Sequence, residues 1–174
     1  MRLIPAVLIL AVLSCGAQIL SRSYWLMLMD DGRTWCGYSE EAEFKSEADK
    51  LKPTETARIT YSPDRLLELT YQVEPESGDW IVIDKYTPSG DEILLRRASL
   101  LTQSNLQVIQ DTTIRQGKAE PFRIVNITTL DGKKAETSDI DFPSVPVRTN
   151  LSSTPFVALA AEMRSRSLAT LCKK

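Results

Sequence analysis

Histidine is absent from all 174 residues. With it go the Ser-His-Asp and Cys-His nucleophilic sets and the usual ligand sets of catalytic zinc. No Gly-Lys-Ser/Thr phosphate loop occurs, and no Gly-x-Gly-x-x-Gly follows a strand-like run, so these nucleotide cradles are missing. Cys-x-x-Cys, the dithiol redox and metal motif, is also missing. Cysteine itself is scarce, with Cys15, Cys36 and Cys172 the complete set. Long apolar runs are scarcer still. Leu3 to Leu13 is the one conspicuous run, at about eleven residues, where a spanning helix wants roughly twenty.

What is present begins with that run. Met1-Arg2 carries one positive charge, the apolar stretch follows, and Ser14-Cys15-Gly16-Ala17 supplies small residues. This charged, apolar and small-residue order predicts a secretory signal over residues 1–17, with cleavage before Gln18. Val12-Leu13-Ser14-Cys15 also resembles a bacterial lipobox, which implies lipidation of Cys15; Leu13 is bulkier than the small residue usual there. Either route leaves Cys36 and Cys172. Two cysteines in an oxidising compartment predict a disulfide. The expected location is therefore outside the cytoplasm, periplasmic or secreted, or lipid-anchored in a bacterial envelope.

The remaining 18–174 read as a single β-rich globular domain, long enough for a real core. Taking Arg2 away from 21 basic residues leaves 20 against 23 acidic ones, interspersed in sign. No basic-aromatic motif points to nucleic acid, and membrane contact is expected only through the leader or a lipid anchor.

Periodicity indicates the architecture. Ser21 to Met29 and Thr34 to Tyr38 flank Asp30-Asp31-Gly32-Arg33, a hairpin signature. Ser39 to Lys50 is acidic and spaced as a short exposed helix, with Ser39 as its cap and Pro53 as its stop. From Thr56 the period becomes two. Leu67, Leu69, Tyr71 and Val73 alternate with Glu68, Thr70 and Gln72, the pattern of a half-buried strand. Further strands follow at Trp80–Tyr86, Ile93–Leu101, Leu106–Ile114 and Phe122–Leu130, separated by Gly-bearing turns that favour sequential antiparallel pairing. Thr137 to Asn150, with Pro143 and Pro146, reads as irregular or as an edge. Thr154 and Pro155 then open a C-terminal helix near 155–170, with Phe156, Leu159, Ala160 and Met163 on one face. The predicted fold is α+β: an antiparallel meander of six to eight strands, with a curved or half-barrel form allowed, and with a short acidic helix near 40–50 and a C-terminal helix near 155–170 packed on the sheet.

Functional candidates are few. Trp25, Trp35, Trp80, Tyr71 and Tyr86 are the aromatics able to face a ligand. Asp30-Asp31 and Asp139/Asp141 offer carboxylates close in sequence, which could serve histidine-free glycoside hydrolysis; a turn and a solvated edge are the simpler readings. No catalytic residues, metal or cofactor are assigned. The expected role is a non-catalytic binding or carrier domain for a small or apolar ligand. The alternative is an interaction module for an envelope protein, and a carboxylate-based hydrolase is the least expected.

Overall fold

The computed structural model describes residues 21–89, 93–102, 106–121, 123–129 and 147–174, and of 123–129 the backbone only. The predicted leader, Cys15, and the Asp139/Asp141 pair lie outside the described residues.

Among the described residues, ten strands form one antiparallel, unclosed sheet. In chain order they are β1 Arg22–Leu28, β2 Trp35–Tyr38, β3 Glu55–Tyr61, β4 Leu66–Val73 and β5 Trp80–Pro88. Then come β6 Ile93–Thr102, β7 Leu106–Arg115, the two-residue β8 Lys118–Ala119, β9 Arg123–Thr129 and β10 Thr170–Lys173. Helix α1 spans Glu41–Leu51 and α2 spans Pro155–Arg166, preceded by a single 3₁₀ turn at Leu151–Ser153. The predicted meander, acidic helix and C-terminal helix are all present.

From β3 to β7 each strand pairs with the next, and β9 returns beside β7 past a register shift between Ile109 and Gln110. The start of the chain departs from a simple meander. β1 lies between β2 and β3, so the chain crosses over β1 through α1. The β1–β2 turn is the expected one. Gly32 adopts φ +64°, and the Asp31 carboxylate accepts the N–H groups of Arg33 and Thr34.

Two boundaries and one capping bond differ from the sequence reading, while the start of α2 at Pro155 agrees with it. Ser39 does not cap α1: its N–H donates to Ala169 O at 2.8 Å, extending the β2–β10 ladder, and the helix starts after Glu40. Thr154 stands at the N-cap position of α2 with Pro155 behind it, but its hydroxyl donates to Leu151 O at 2.7 Å and makes no side-chain cap bond. The C-terminal helix ends at Arg166 rather than near 170. Ser167 turns left-handed at φ 52°, and residues 170–173 run back as the edge strand β10.

Alternation sorts the side chains onto two faces. Tyr24, Leu26, Ile59, Leu69, Tyr71 and Tyr86 point to the inner face and pack with Phe156, Val157, Leu159, Ala160 and Met163 of α2. Met27, Cys36 and Tyr38 point to the outer face, where Phe44, Ala48 and Leu51 of α1 cover them. Helix α1 is therefore half-covered rather than free-standing. A third cluster, Val82, Leu100 and Val108 with Trp80 and Leu106, extends the inner face toward the far end of the sheet. Gly37 lets α2 approach β2: a Cβ there would sit 2.5 Å from Met163 Sδ.

Candidate functional site

The inner face between β4 and β7 carries groups that a plain core does not need. Strand β5 places Val82, Asp84 and Tyr86 on this face by alternation, and β6 places Arg96 there. Asp84 is fully buried and Arg96 is 4% exposed. The two meet through one guanidinium nitrogen, Arg96 Nη2, which donates to Asp84 Oδ1 at 2.7 Å and Oδ2 at 3.0 Å. Tyr86 Oη donates to Asp84 Oδ2 at 3.3 Å. Burial pushes the Asp84 carboxyl up, while Arg96 and then Arg148 pull it down; the net direction is up. Among the described residues Arg96 Nε and Thr112 Oγ1 have no hydrogen-bond partner, although Arg96 and Thr112 stand opposite each other across β6 and β7. Buried donors of this kind are commonly met by an ordered water.

Beside this pair, β2, β4 and α2 bring three rings together. Tyr71 and Phe156 stack at 5.4 Å between centroids with an interplanar angle of 13°. Trp35 tilts against Phe156 at 4.9 Å. Arg148, from the irregular residues 147–150, lays its guanidinium carbon 3.9 Å from the Tyr71 centroid and 5.5 Å from that of Phe156. Its backbone N–H donates to Tyr86 Oη at 3.1 Å. Tyr71 Oη donates in turn to a Glu55 carboxylate oxygen. Burial, then the Glu55 bond, drives the Tyr71 phenol far above its ordinary range. A polar chain thus runs Glu55, Tyr71, Arg148, Tyr86, Asp84, Arg96 through an otherwise apolar layer.

The sequence-predicted aromatics divide accordingly. Trp35, Tyr71 and Tyr86 are buried on the inner face and converge on Phe156 and Arg148. Trp25 is half-buried on the opposite face of β1, in register with Tyr38 and Arg58. Trp80 packs in the far inner cluster with Val82 and Leu106. The five do not form one surface. The sequence reading missed Arg148, Asp84 and Arg96. Asp84 was available, since it shares strand parity with Val82 and Tyr86 and so marks a buried charge.

Cys36 and Cys172 are bonded, and they are direct partners across β2 and β10. Cys36 is buried on the outer face under α1 and Cys172 is exposed at the sheet edge. Asp31 belongs to its turn: hydrogen bonds from Thr34 and Arg33 hold its carboxyl down at about 2. A general acid needs the opposite shift. Among the described residues, no group of three or more His, Cys, Asp or Glu gathers as a metal site, and no helix is long and apolar enough to cross a membrane.

The outer face of β5–β7 forms an open depression of about 600 Å³, where Lys85, Thr87, Leu95, Arg97 and Asp111 meet Glu120 and Pro121. Arg97 and Asp111 form a bidentate pair here at 2.8 and 2.7 Å.

Comparison with protein-family models, with characterised proteins and with solved structures finds no significant match to this chain.

Proposed function

We propose that this chain is an exported, non-catalytic binding domain of the cell envelope, and that its ligand site is the inner-face cluster under α2. The observation that carries this reading is the convergence of Trp35, Tyr71 and Phe156 with three polar groups, Tyr86, Asp84 and Arg148. Few polar groups placed precisely among apolar and aromatic walls is the composition of a small-molecule site. The rings are covered by α2 and by the irregular segment bearing Arg148, so a ligand enters by displacing one of these covers. The signal-like first 17 residues and the Cys36–Cys172 bond support an oxidising compartment outside the cytoplasm. Cleavage before Gln18 and lipidation of Cys15 remain the two routes to it.

Native mass spectrometry of the protein taken from an envelope fraction tests the proposal. The expected result is a co-purified small molecule that is lost in the Tyr71→Leu variant. A ligand-free protein, or a ligand retained unchanged in that variant, sinks the assignment. The mature N-terminus in the same spectra distinguishes a free Gln18 from an acylated Cys15.

A second reading has its own observation. Leu95 is 46% exposed in the outer depression, ringed by charged side chains, which suits a small protein-docking patch. A photo-crosslinker at position 95 should then capture one defined envelope protein in the native host. Capture of none ends that reading.

A further inference from the structure

The inner site also indicates what kind of ligand it takes. This inference rests on the inner cluster being the ligand site, as proposed above. Two arginines reach the inner face, and they are held by different means. Arg96 is fixed between strands by two bonds to a buried carboxylate and is almost fully enclosed. Arg148 is partly buried, comes from a segment in neither helix nor strand, donates its backbone N–H to Tyr86 Oη, and lies over the face of Tyr71. Its guanidinium thus sits as a ligand would, on the face of one ring and beside a second, with Glu55 and Asp84 in the same polar chain.

Ring faces attract cations through their quadrupole, and the attraction favours weakly hydrated, delocalised or alkylated cations over a hydrated ammonium. Adjacent carboxylates add a sign preference without requiring a fixed bond. A site built this way selects an organic cation. It also selects against anions, which the ring faces and the Glu55 carboxylate repel.

We propose that the Trp35–Tyr71–Phe156 site binds a soft organic cation of the alkylguanidinium or quaternary ammonium class, and that Arg148 occupies it in cis as a displaceable internal ligand. Displacement returns Arg148 to water and lets residues 147–150 move off the sheet. The ring faces then serve the incoming cation as they served Arg148, with Glu55, bonded to Tyr71, as the nearest carboxylate not held by Arg96. The apparent affinity of the intact protein is therefore lowered by the internal competitor, in proportion to the fraction of time the site is open.

The test uses the folded full-length domain, with ethylguanidinium and tetramethylammonium as probes and sodium at matched ionic strength as control. Binding is followed by NMR shifts of the Trp35 indole and of the Tyr71 and Phe156 rings. Wild type should bind the organic cations weakly. Arg148→Ala should bind ethylguanidinium at least tenfold more tightly, with shifts confined to those rings. Arg148→Lys should fall between, because its ammonium competes less well for a ring face. A folded Arg148→Ala that binds no better than wild type overturns the proposal. So do ring shifts that sodium reproduces. If Arg148→Ala does not fold, Arg148→Met, which keeps the bulk and removes the charge, decides by the same criteria. None of these outcomes touches the co-purified-ligand measurement. A neutral ligand found there, with no cation binding here, would leave the binding domain standing and remove only its cation specificity.

Discussion

The two ends of the sheet solve burial differently. From β10 to β3 the inner face is covered by α2, which contacts β2, β10, β1 and β3, and α1 covers the outer face at β1 and β2. The layers there are apolar and aromatic, and a disulfide ties the edge strand to its neighbour. From β5 to β7 neither helix packs on a strand as an element. That end buries an ion pair on its inner face and lays another, Arg97 with Asp111, along its outer one, while Lys85 of β5 reaches back to Glu68 of β4. The covered end is held by area and by a covalent staple, and the open end by strand pairing and charge. The candidate site lies at the seam, where Tyr71 of β4 meets Tyr86 and Asp84 of the open end.

The staple should give the largest effect. Cys36 and Cys172 are 136 residues apart, and closing a loop that long stabilises by up to about 5 kcal/mol in the chain-entropy model. Cys172→Ser should lower the urea midpoint accordingly. Native-state hydrogen exchange should show where: β2 and β10 amides lose protection first, while β5 to β7 keep theirs. Equal loss at both ends would mean that the sheet opens as one unit, and that the contrast between its ends is geometric only.

The buried pair provides the corresponding break at the open end. Asp84→Ala leaves the Arg96 charge enclosed without its partner, which costs about 3–5 kcal/mol. Replacing both together, Asp84→Leu with Arg96→Met, should recover most of that loss, since apolar substitutes for a whole buried pair are commonly neutral or better. The exposed pair on the opposite face of the same strands is the control. Asp111→Ala should cost under about 1 kcal/mol. Chemical denaturation of the four proteins checks all of this. If Asp84→Ala cost no more than Asp111→Ala, the inner face would be wetter than its burial implies.

Helix docking at the covered end depends on a missing side chain. A Cβ at position 37 would run into the fully buried Met163 sulfur. Gly37→Ala should therefore lose about 1–3 kcal/mol by overpacking. Met163→Ala in the same chain should restore part of it by making room, and thermal unfolding of the single and double variants measures the coupling.

What could be read in advance follows the same division. Period-two alternation in β4 is unbroken, so its inner residues Leu69 and Tyr71 were legible from the chain. So were the turns, because Gly32 and Gly78 adopt the positive φ that marks them. β10 was not legible. Four residues ending in a lysine carry no strand signal, and their conformation comes from pairing with β2 and from the disulfide. Nor was the order at the start of the sheet, since a hairpin followed by a helix does not say on which side of β1 the next strand joins. The site was half legible. Its aromatics could be named, but the set depends on which face each strand turns inward. In β6 the run Ile93-Leu94-Leu95-Arg96-Arg97 has apolar and charged residues at both parities, so Arg96 could not be told from Arg97. Yet one is buried against Asp84 and the other is exposed against Asp111. Arg148 follows a stretch with no periodicity, and only three-dimensional packing brings it to Tyr71.

The smallest expected effect concerns charge at the covered end, in the β1–β2 turn. The Asp31 carboxylate accepts three hydrogen bonds, from Arg33 N–H at 3.0 Å, Thr34 N–H at 2.8 Å and Thr34 Oγ1–H at 2.6 Å. They hold it at about 2, below the roughly 3.9 of an unfolded chain. A depressed carboxyl adds stability that is present above the unfolded value and is lost as pH falls through the folded one. The window is therefore from about pH 4 down to pH 2. Asp31→Asn keeps an oxygen acceptor for the two N–H groups and removes the charge, so it removes that window. Melting temperatures of the two proteins should differ most above pH 4 and converge toward pH 2. The turn is exposed, so raised salt should shrink the difference. The same pH series on Asp84→Leu/Arg96→Met should leave this convergence in place, because the Asp31 turn and the buried pair sit at opposite ends of the sheet and share no partner. Loss of the convergence in that background would show that the two ends are coupled through the strands between them, and the division drawn above would have to be given up.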